Sequence, residues 1–369
     1  MKIAMIGHKY VPSREGGVEI VVEELSTRMA ALGNEVVIYN RKRNEYEHID
    51  SYKGCNIKEV FTINKKSLDA IIYAFFATLK VRKLIKNKKI DIVHFHAEGP
   101  CFFLNLLPKK SKRNGAKVIV TIHGLDWQRG KWGGLASKIL KIGEKKAVKY
   151  ADEIIVLSKN NVNYFKDTYK RDTIYLPNGV SPAKPHNPEI IKEKYNLDKN
   201  DYILFLARIV PEKGLDYLIE AWQQLKKEKD INKKLVIAGG DSHSCEYFNK
   251  EMDKIKDDDS IIATGFVQGQ ELYELYSNAY LYILPSDIEG MPMSLLEAIS
   301  YGNTCLVSDI PENKEIINEK CYTFKHGNVE DLKKQMKMIL DKNPRTHTNN
   351  VIPFTWDDIV NKTLELYKR

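Results

Sequence analysis

The chain is expected to be an α/β protein built as two doubly wound parallel domains in tandem, and three features carry that expectation. Short apolar strands alternate with helical stretches along the first half of the sequence. The alternation breaks at residues 177–188 (PNGVSPAKPHNP), rich in proline and turn residues, and then restarts. An amphipathic stretch, Trp356–Tyr367, closes the chain. A rhythm of strand and crossover helix is the signature of a parallel sheet covered on both faces, and the break is the best linker. The expected layout is a Rossmann-like domain over residues 1–180, a second over 181–354, and a closing helix over 355–369 that packs toward the first, with the two domains facing across a cleft.

In chain order, Lys2–Ile6 reads as strand, Val18–Leu32 as helix and Glu35–Tyr39 as strand. Leu68–Ile85 is a long amphipathic helix before the strand Ile90–Phe95. Lys117–Ile122, Glu153–Leu157 and Thr173–Leu176 are further apolar strands, separated by helical Ala136–Lys149 and Asn160–Phe165. After the linker come strand Tyr202–Ala207, helix Gly214–Lys227, strands Lys234–Ala238 and Ile261–Phe266, helix Gln270–Ser277 and strand Ala279–Leu284. Pro292–Tyr301 then reads as a short helix before the strand Thr304–Val307. Pro292 suits its first turn, where a missing N–H costs nothing, and Gly302 suits the position just past its end.

Composition narrows the class. At 369 residues, 43% hydrophobic and 29% charged, the chain has room for two ordinary domains of a globular enzyme. No apolar run approaches the ~20 residues of a membrane span. MKIAMIGHKYV, broken by His8 and Lys9, is too short for a signal-peptide core, so no targeting signal is expected. Five scattered cysteines without ligand spacing read as reduced thiols of a cytoplasmic protein. The net charge of +9 is unevenly spread: residues 1–180 hold 33 lysines and arginines against 18 acidic residues, and the remainder holds 25 against 31. The first half is therefore suited to an anionic surface. Its basic stretches are Leu79–Lys89 and Pro108–Lys117, with Ile71, Ile72, Phe75 and Phe76 just upstream. A membrane-surface helix and a plain solvated face fit this pattern equally, and nucleic acid fits less well because few aromatics interleave with the charges.

The chemistry concentrates at strand ends. A helix opening at the C-terminal edge of a strand turns its unpaired N–H groups on whatever lies there, and in open α/β sheets that edge is the ligand crevice. The stretch LPSDIEGMPMSLLEAISYGN has this form, with Glu289 in the loop and Glu297 in the helix. A phosphate site flanked by carboxylates able to hold hydroxyls points to a sugar nucleotide; the alternative is a capped surface helix with two solvated glutamates. Arg208 and Lys213 (ARIVPEKG) follow a strand and precede a helix, where a guanidinium fork and an ammonium both suit a diphosphate leaving group. Gly16 and Gly17 follow the first strand; close approach to a phosphate and a turn needing positive φ explain them equally well, and they fall short of a full dinucleotide fingerprint. His123 ends a strand in TIHGLDWQRGKW, with Asp126 nearby and Trp127 and Trp132 offering faces on which sugars stack. His94 and His96 end another strand (HFHAEG). They read as cleft lining or hydrogen-bonding residues rather than metal ligands, because no third ligand lies at matching spacing.

Assembled, these motifs resemble a family-4 retaining glycosyltransferase of the GT-B fold over nearly the whole chain: GG after the first strand, HG after a middle strand, RIVPEKG opening the second domain, and E-x7-E as Glu289 to Glu297. VHFHAEGP, TIHGLDWQRGKWG and PSDIEGMPMSLLEAISYGN further resemble bacterial enzymes that build cell-surface polysaccharides. The resemblance implies that Gly16 and Gly17 approach the phosphates and the bound sugar, that Arg208 and Lys213 hold the diphosphate, and that Glu297 holds the ribose hydroxyls. It implies that Glu289 lies against the donor sugar, that the amides near Ser294 and Leu295 meet the distal phosphate, and that His123 stabilises the oxocarbenium-like transition state. Asp126 and His96 would face the acceptor. It also implies retention without a protein nucleophile, the leaving phosphate taking the acceptor proton on the same face. The family often carries an aromatic after the EG pair; here Met291 and Pro292 follow, which leaves the donor sugar open.

Asp257–Asp259 matches the DxD pattern of metal-dependent sugar transferases, but reads as solvated charge at an exposed helix end far from any apolar strand terminus. The chain is therefore expected to need no metal and no cofactor. The expected function is transfer of a hexose from a nucleotide diphosphate sugar, UDP-linked, to a lipid-linked saccharide, by a cytoplasmic protein peripheral to the inner face of the plasma membrane. Domain closure would exclude water and protect the donor. The alternatives are a GT-B epimerase or phosphorylase, and a non-catalytic module binding sugar nucleotides or anionic surfaces.

Overall fold

The computed structural model describes residues 1–65, 68–128, 134–240, 245–319, 321–342 and 354–369. It resolves into two compact units, Met1–Gly179 with Trp356–Arg369, and Val180–Thr355.

The first unit is built on β1 (Lys2–Ile6), α1 (Gly17–Ala31), β2 (Glu35–Arg41), β3 (Ser51–Tyr52), β4 (Cys55–Val60), α2 (Leu68–Lys86), β5 (Ile92–His96), β6 (Lys117–Ile122), α3 (Gly134–Tyr150), β7 (Glu153–Val156), α4 (Lys159–Tyr169) and β8 (Ile174–Tyr175). Its eight strands run in the order β3-β4-β2-β1-β5-β6-β7-β8, parallel throughout except for the β3–β4 hairpin. Every residue of β5 is buried, and in β1 and β6 only the first residue is not, as expected where helices cover both faces of a sheet. Because β1 pairs with both β2 and β5, the strand order reverses there, and a crevice opens at the carboxyl ends of β1 and β5. The C-terminal helix, Trp356–Lys368, belongs to this unit: Arg28 of α1 meets Asp357 at 2.5 Å, and Lys117 Nζ donates to the carbonyl of Tyr367 at 3.0 Å.

The second unit comprises α5 (Ile190–Tyr195), β9 (Tyr202–Leu206), α6 (Leu215–Glu228), β10 (Lys234–Ala238), α7 (Cys245–Ile255), β11 (Ile261–Gly265), α8 (Gly269–Asn278), β12 (Leu281–Leu284), α9 (Met293–Ser300), β13 (Cys305–Ser308), α10 (Pro311–Lys314), β14 (Cys321–Phe324) and α11 (Val329–Lys342). Its sheet is wholly parallel, in the order β11-β10-β9-β12-β13-β14, with the reversal between β9 and β12. Trp222, Leu218 and Leu225 of α6 and Leu332, Met336 and Ile339 of α11 pack with Phe205 and Ile283 in one core.

Elements that the apolar pattern does not announce are β3, β4, β14, α5, α7, α10 and α11. In β4 (CNIKEV) lysine, asparagine and glutamate alternate with apolar residues, so it reads as loop although its apolar side is buried. The acidic run Asp257–Asp259 is not remote from a strand: it forms the turn that enters β11. That is the amino edge of the sheet, opposite the ligand edge, and the Asp258 carboxylate accepts from the N–H and hydroxyl of Ser260 at 3.0 and 2.6 Å.

Candidate functional site

In the second unit the reversal point gathers two turns. After β9 the chain passes Arg208, which is half-buried, and makes one 3₁₀ turn over Pro211–Lys213. Gly214 then takes φ +65°, and a Cβ there would lie 2.2 Å from the carbonyl oxygen of Pro285. Only glycine permits that approach, and it seats Lys213 against the loop leaving β12. Lys213 Nζ lies 2.5 Å from Glu289 Oε1, which also accepts from Ser286 Oγ at 2.6 Å. The two ionic side chains are 15% and 6% exposed. Behind them, Ser308 Oγ donates to Ser286 O at 2.5 Å, and Asn313 Nδ2 donates to the carbonyl and hydroxyl oxygens of Ser308 at 3.1 Å. A buried polar chain thus fixes the rotamer of Glu289.

The helix α9 opens beside this cluster. Pro292 is its extended N-cap, with φ −73° and ψ 108°, rather than a residue of the first turn. Gly302 has φ +79° just past the end, where the left-handed conformation terminates a helix. The first amides of any α-helix lack a carbonyl four residues back, so those at Ser294 and Leu295 lie where an anion is favoured. Ser294 Oγ accepts from Tyr282 at 2.8 Å, and the Tyr276 hydroxyl donates to Glu297 Oε2 at 3.1 Å while its ring stacks on Tyr301 at 5.3 Å. The loop carries a further contact, Asp287 Oδ1 with His326 Nε2 at 2.7 Å; burial raises the Asp287 carboxyl above the ordinary carboxylate range, and the His326 bond opposes it.

In the first unit, Gly7 ends β1 with φ +123°, and a Cβ there would fall 2.1 Å from the carbonyl oxygen of His96. Gly16 caps α1 with φ −156°, an extended conformation open to any residue, and an added Cβ would meet only the flexible end of Glu19, at 2.4 Å. A turn needing positive φ therefore does not explain this glycine. Gly17 is the exposed first residue of α1.

The histidines at the ends of β5 and β6 form one buried stack. His94 is a structural residue: its Nδ1 meets the Tyr367 hydroxyl at 2.6 Å and its Nε2 meets Thr121 Oγ1 at 2.7 Å. Burial pushes its pKa down to about 3. His96 does not line a surface, as its 0% exposure shows; it lies beneath His123, with Nδ1 3.0 Å from His123 Nε2 and its ring stacked on His94 at 4.2 Å. Burial, then the neighbouring His94, holds His96 neutral. Its Nε2 is buried without a hydrogen-bond partner among the described residues. An orphaned lone pair costs less than an orphaned N–H, so the proton sits on Nδ1 and is donated to His123. Among the described residues no group of three or more candidate ligands could hold a metal ion.

Two buried carboxylates that the sequence reading passes over hold the loop after His123. Glu98 Oε2 accepts from the N–H of Asp126 at 3.0 Å, and Glu144 Oε2 accepts from the indole N–H of Trp127 at 3.0 Å. Glu144 also accepts from the hydroxyls of Tyr164, at 2.9 Å, and Tyr169. Both glutamates are fully buried. The signal for Glu144 was available: with Leu140, Gly143 and Ala147 it occupies the inward stripe of α3. Trp132 lies outside the described residues.

Each sheet thus presents charged and hydrogen-bonding groups at its reversal point, the arrangement of a doubly wound enzyme. The model of Glycosyltransferase Family 4 matches residues 15–184, and that of Glycosyl transferases group 1 matches residues 187–351. Among curated relatives, an uncharacterized glycosyltransferase of Haemophilus influenzae is 24% identical, covering 90% of this chain and 88% of its own. The alpha-monoglucosyldiacylglycerol synthase of Streptococcus pneumoniae is also 24% identical, covering 90% and 76%. Among solved structures, a sucrose-phosphate synthase from Thermosynechococcus elongatus superposes with TM-score 0.81 at 19% identity, covering 100% of this chain and 98% of that one. Anabaena HepE, in complex with UDP and glucose, superposes with TM-score 0.79 at 13% identity, covering 100% and 99%. The protein is a glycosyltransferase of the GT-B fold. Within that class it is of the family-4 type, with the family-4 model on its first half and the group-1 model on its second.

Proposed function

We propose that this protein transfers a hexose from a UDP-linked donor to a lipid-linked saccharide with retention of configuration, in the assembly of a cell-surface polysaccharide. The observation that carries the proposal is the cluster Lys213–Glu289–Ser286, set beside the opening of α9 at the reversal point of the second sheet. In this reading Arg208, Lys213 and the amides of Ser294 and Leu295 bind the diphosphate, where cations and helix N–H groups stabilise charge building on the leaving group. Glu297, steadied by Tyr276, takes the ribose hydroxyls, and Glu289 takes a donor-sugar hydroxyl. Gly16 and Gly17 leave room at the start of α1 for phosphate and sugar. His123 stabilises positive charge at the anomeric carbon, with neutral His96 as its support, and Asp126 serves the acceptor. The anomeric C–O bond to phosphate breaks, the acceptor oxygen bonds on the same face, and its proton passes to the departing phosphate. No metal or cofactor enters the scheme. The relative that makes a glucosyldiacylglycerol and the basic first unit support a membrane-linked acceptor, and with it a position at the inner face of the plasma membrane as part of this proposal.

The test is a panel of nucleotide sugars, with nucleotide release followed with and without a membrane lipid extract, and with and without chelator. Lipid-dependent release that survives chelation and stops in His123→Ala and Glu289→Ala, both still binding nucleotide, is the expected result. Unchanged behaviour in both variants would make the protein a binding module, and loss on chelation would overturn the metal-free scheme.

A further inference from the structure

We infer that one face of the first unit, made by α2 and the 3₁₀ segment Gly99–Leu106, docks on an anionic phospholipid bilayer, with an aromatic half that enters the interface and a basic half that receives phosphate headgroups. The aromatic half is a continuous run of rings. Phe61 meets Phe76 edge-on at 5.5 Å, Phe76 meets Phe75 at 5.4 Å, Phe75 meets Phe103 at 5.3 Å, and Phe103 meets Phe102 at 5.1 Å. Phe61, Phe75 and Phe76 remain 55%, 36% and 38% exposed, and Leu68 46%, so this is a contiguous apolar patch. Scattered exposed apolar residues need no explanation, but a contiguous aromatic patch marks a contact surface.

The occupant is identified by what adjoins it. One to three turns further along α2, the stripes that carry Phe75 and Phe76 change to Lys80, Arg82, Lys83 and Lys86. A surface cavity of ≈ 510 Å³ opens there, lined by Arg82, Lys86 and Lys112 together with Asn105, Asn114 and Leu106, and no carboxylate lines it. The one acidic residue of α2, Asp69, faces inward and is held by Arg41 at 2.6 Å and Arg43 at 2.5 Å, so nothing on the helix offsets the outward cations. Aromatic rings beside a cationic pocket match the two layers of a bilayer surface, acyl boundary and anionic headgroup. A protein partner would not require that pairing. The inference adds a docking face to the proposed lipid-linked acceptor, and rests on that reading only for its purpose.

The experiment mixes the full chain with vesicles of phosphatidylcholine alone or of phosphatidylcholine with phosphatidylglycerol, and measures co-sedimentation. Binding is expected on the anionic vesicles alone and should weaken as salt rises. Arg82→Ala/Lys86→Ala/Lys112→Ala should weaken it ~100-fold, at about one headgroup contact per cation. Phe75→Ser and Phe76→Ser should each weaken it on the order of tenfold while leaving the salt dependence in place. Thermal unfolding of each variant controls for folding, and Lys334→Ala/Lys337→Ala/Lys342→Ala on α11 serves as a charge-matched control that keeps full binding. Transfer to a soluble saccharide should persist in the docking variants, so its loss would implicate the catalytic reading rather than the surface. Equal binding to neutral vesicles, full binding by the triple variant, or a dimer that Phe75→Ser and Phe76→Ser dissociate without vesicle binding would overturn the inference.

Discussion

Replacing Glu144 tests whether the loop after His123 is held from beneath. Its carboxylate accepts from the Trp127 indole at 3.0 Å, from Tyr164 at 2.9 Å and from Tyr169, in a fully buried setting. Hydrogen bonds to a charged group contribute about 1.5–3 kcal/mol each, and a stranded buried donor costs about 1–3 kcal/mol. Glu144→Gln leaves one oxygen, which must stay on the indole because that N–H can only donate; its NH2 then faces Tyr164 and Tyr169, and both hydroxyls must turn to accept, for a cost of about 2 kcal/mol. Glu144→Leu strands all three donors and costs roughly 5 kcal/mol. At about 2–4 °C per kcal/mol for a unit of this size, Tm falls by ~4–8 °C in the first variant and ~10–20 °C in the second. Trp127→Phe removes one donor without opening a large cavity and should cost about 2 kcal/mol. The deciding measurement is a double-mutant cycle of Glu144→Gln with Trp127→Phe by thermal unfolding, together with acceptor and donor KM. The pair should couple by ~1 kcal/mol or more, and acceptor KM should rise while donor KM holds. Additivity within ~0.3 kcal/mol, or an unchanged Tm in Glu144→Gln, would refute the reasoning.

Three other outcomes are expected. Ser286→Ala, which removes a donor to Glu289, should cost about 2 kcal/mol in denaturant unfolding and reduce turnover of the nucleotide sugar more than its binding. Gly214→Ala should destabilise by roughly 3 kcal/mol through both its positive φ and the approach to Pro285, whereas Gly33→Ala, at φ +81° with open space around it, should cost only about 1 kcal/mol. Acid should weaken the protein before its carboxylates titrate. Burial lowers His8 to about 4 and His94 to about 3, so between those values and the ordinary 6.5 the unfolded chain binds protons that the folded one refuses. Stability is then full above 6.5 and falls with pH, by about 2 kcal/mol per histidine between pH 6.5 and 5. A Tm that stays flat from pH 7 to 5, or a slope that His94→Gln leaves unchanged, would contradict this.

Local pattern is a sound guide to the strands and to the residues at their carboxyl ends. An apolar run bounded by Gly, His or Arg announces itself, and Arg208, Lys213, His123 and Glu289 all stand where a run ends or a helix is about to begin, with Glu297 inside the short helix that follows. The same pattern is silent on β4, where alternating lysine and asparagine imitate a loop, and on Glu98 and Glu144, whose charge conceals inward positions. For His96 the motif HFHAEG leaves cleft lining and hydrogen bonding both open, and the strand decides for the second by carrying it beneath His123.

The sequence by itself determined the α/β class, the doubly wound rhythm and the residue types at each strand tip, because periodicity and chain-breaking residues are properties of neighbours along the chain. Only the tertiary structure decided which strands flank each reversal point. It also decided that Glu289 is held by Lys213 from 76 residues away, and that His94 belongs to the C-terminal helix through Tyr367, 273 residues on. A buried polar group must find its partner wherever packing brings one within about 3 Å, and that choice depends on sheet register and strand order, which no local stretch encodes.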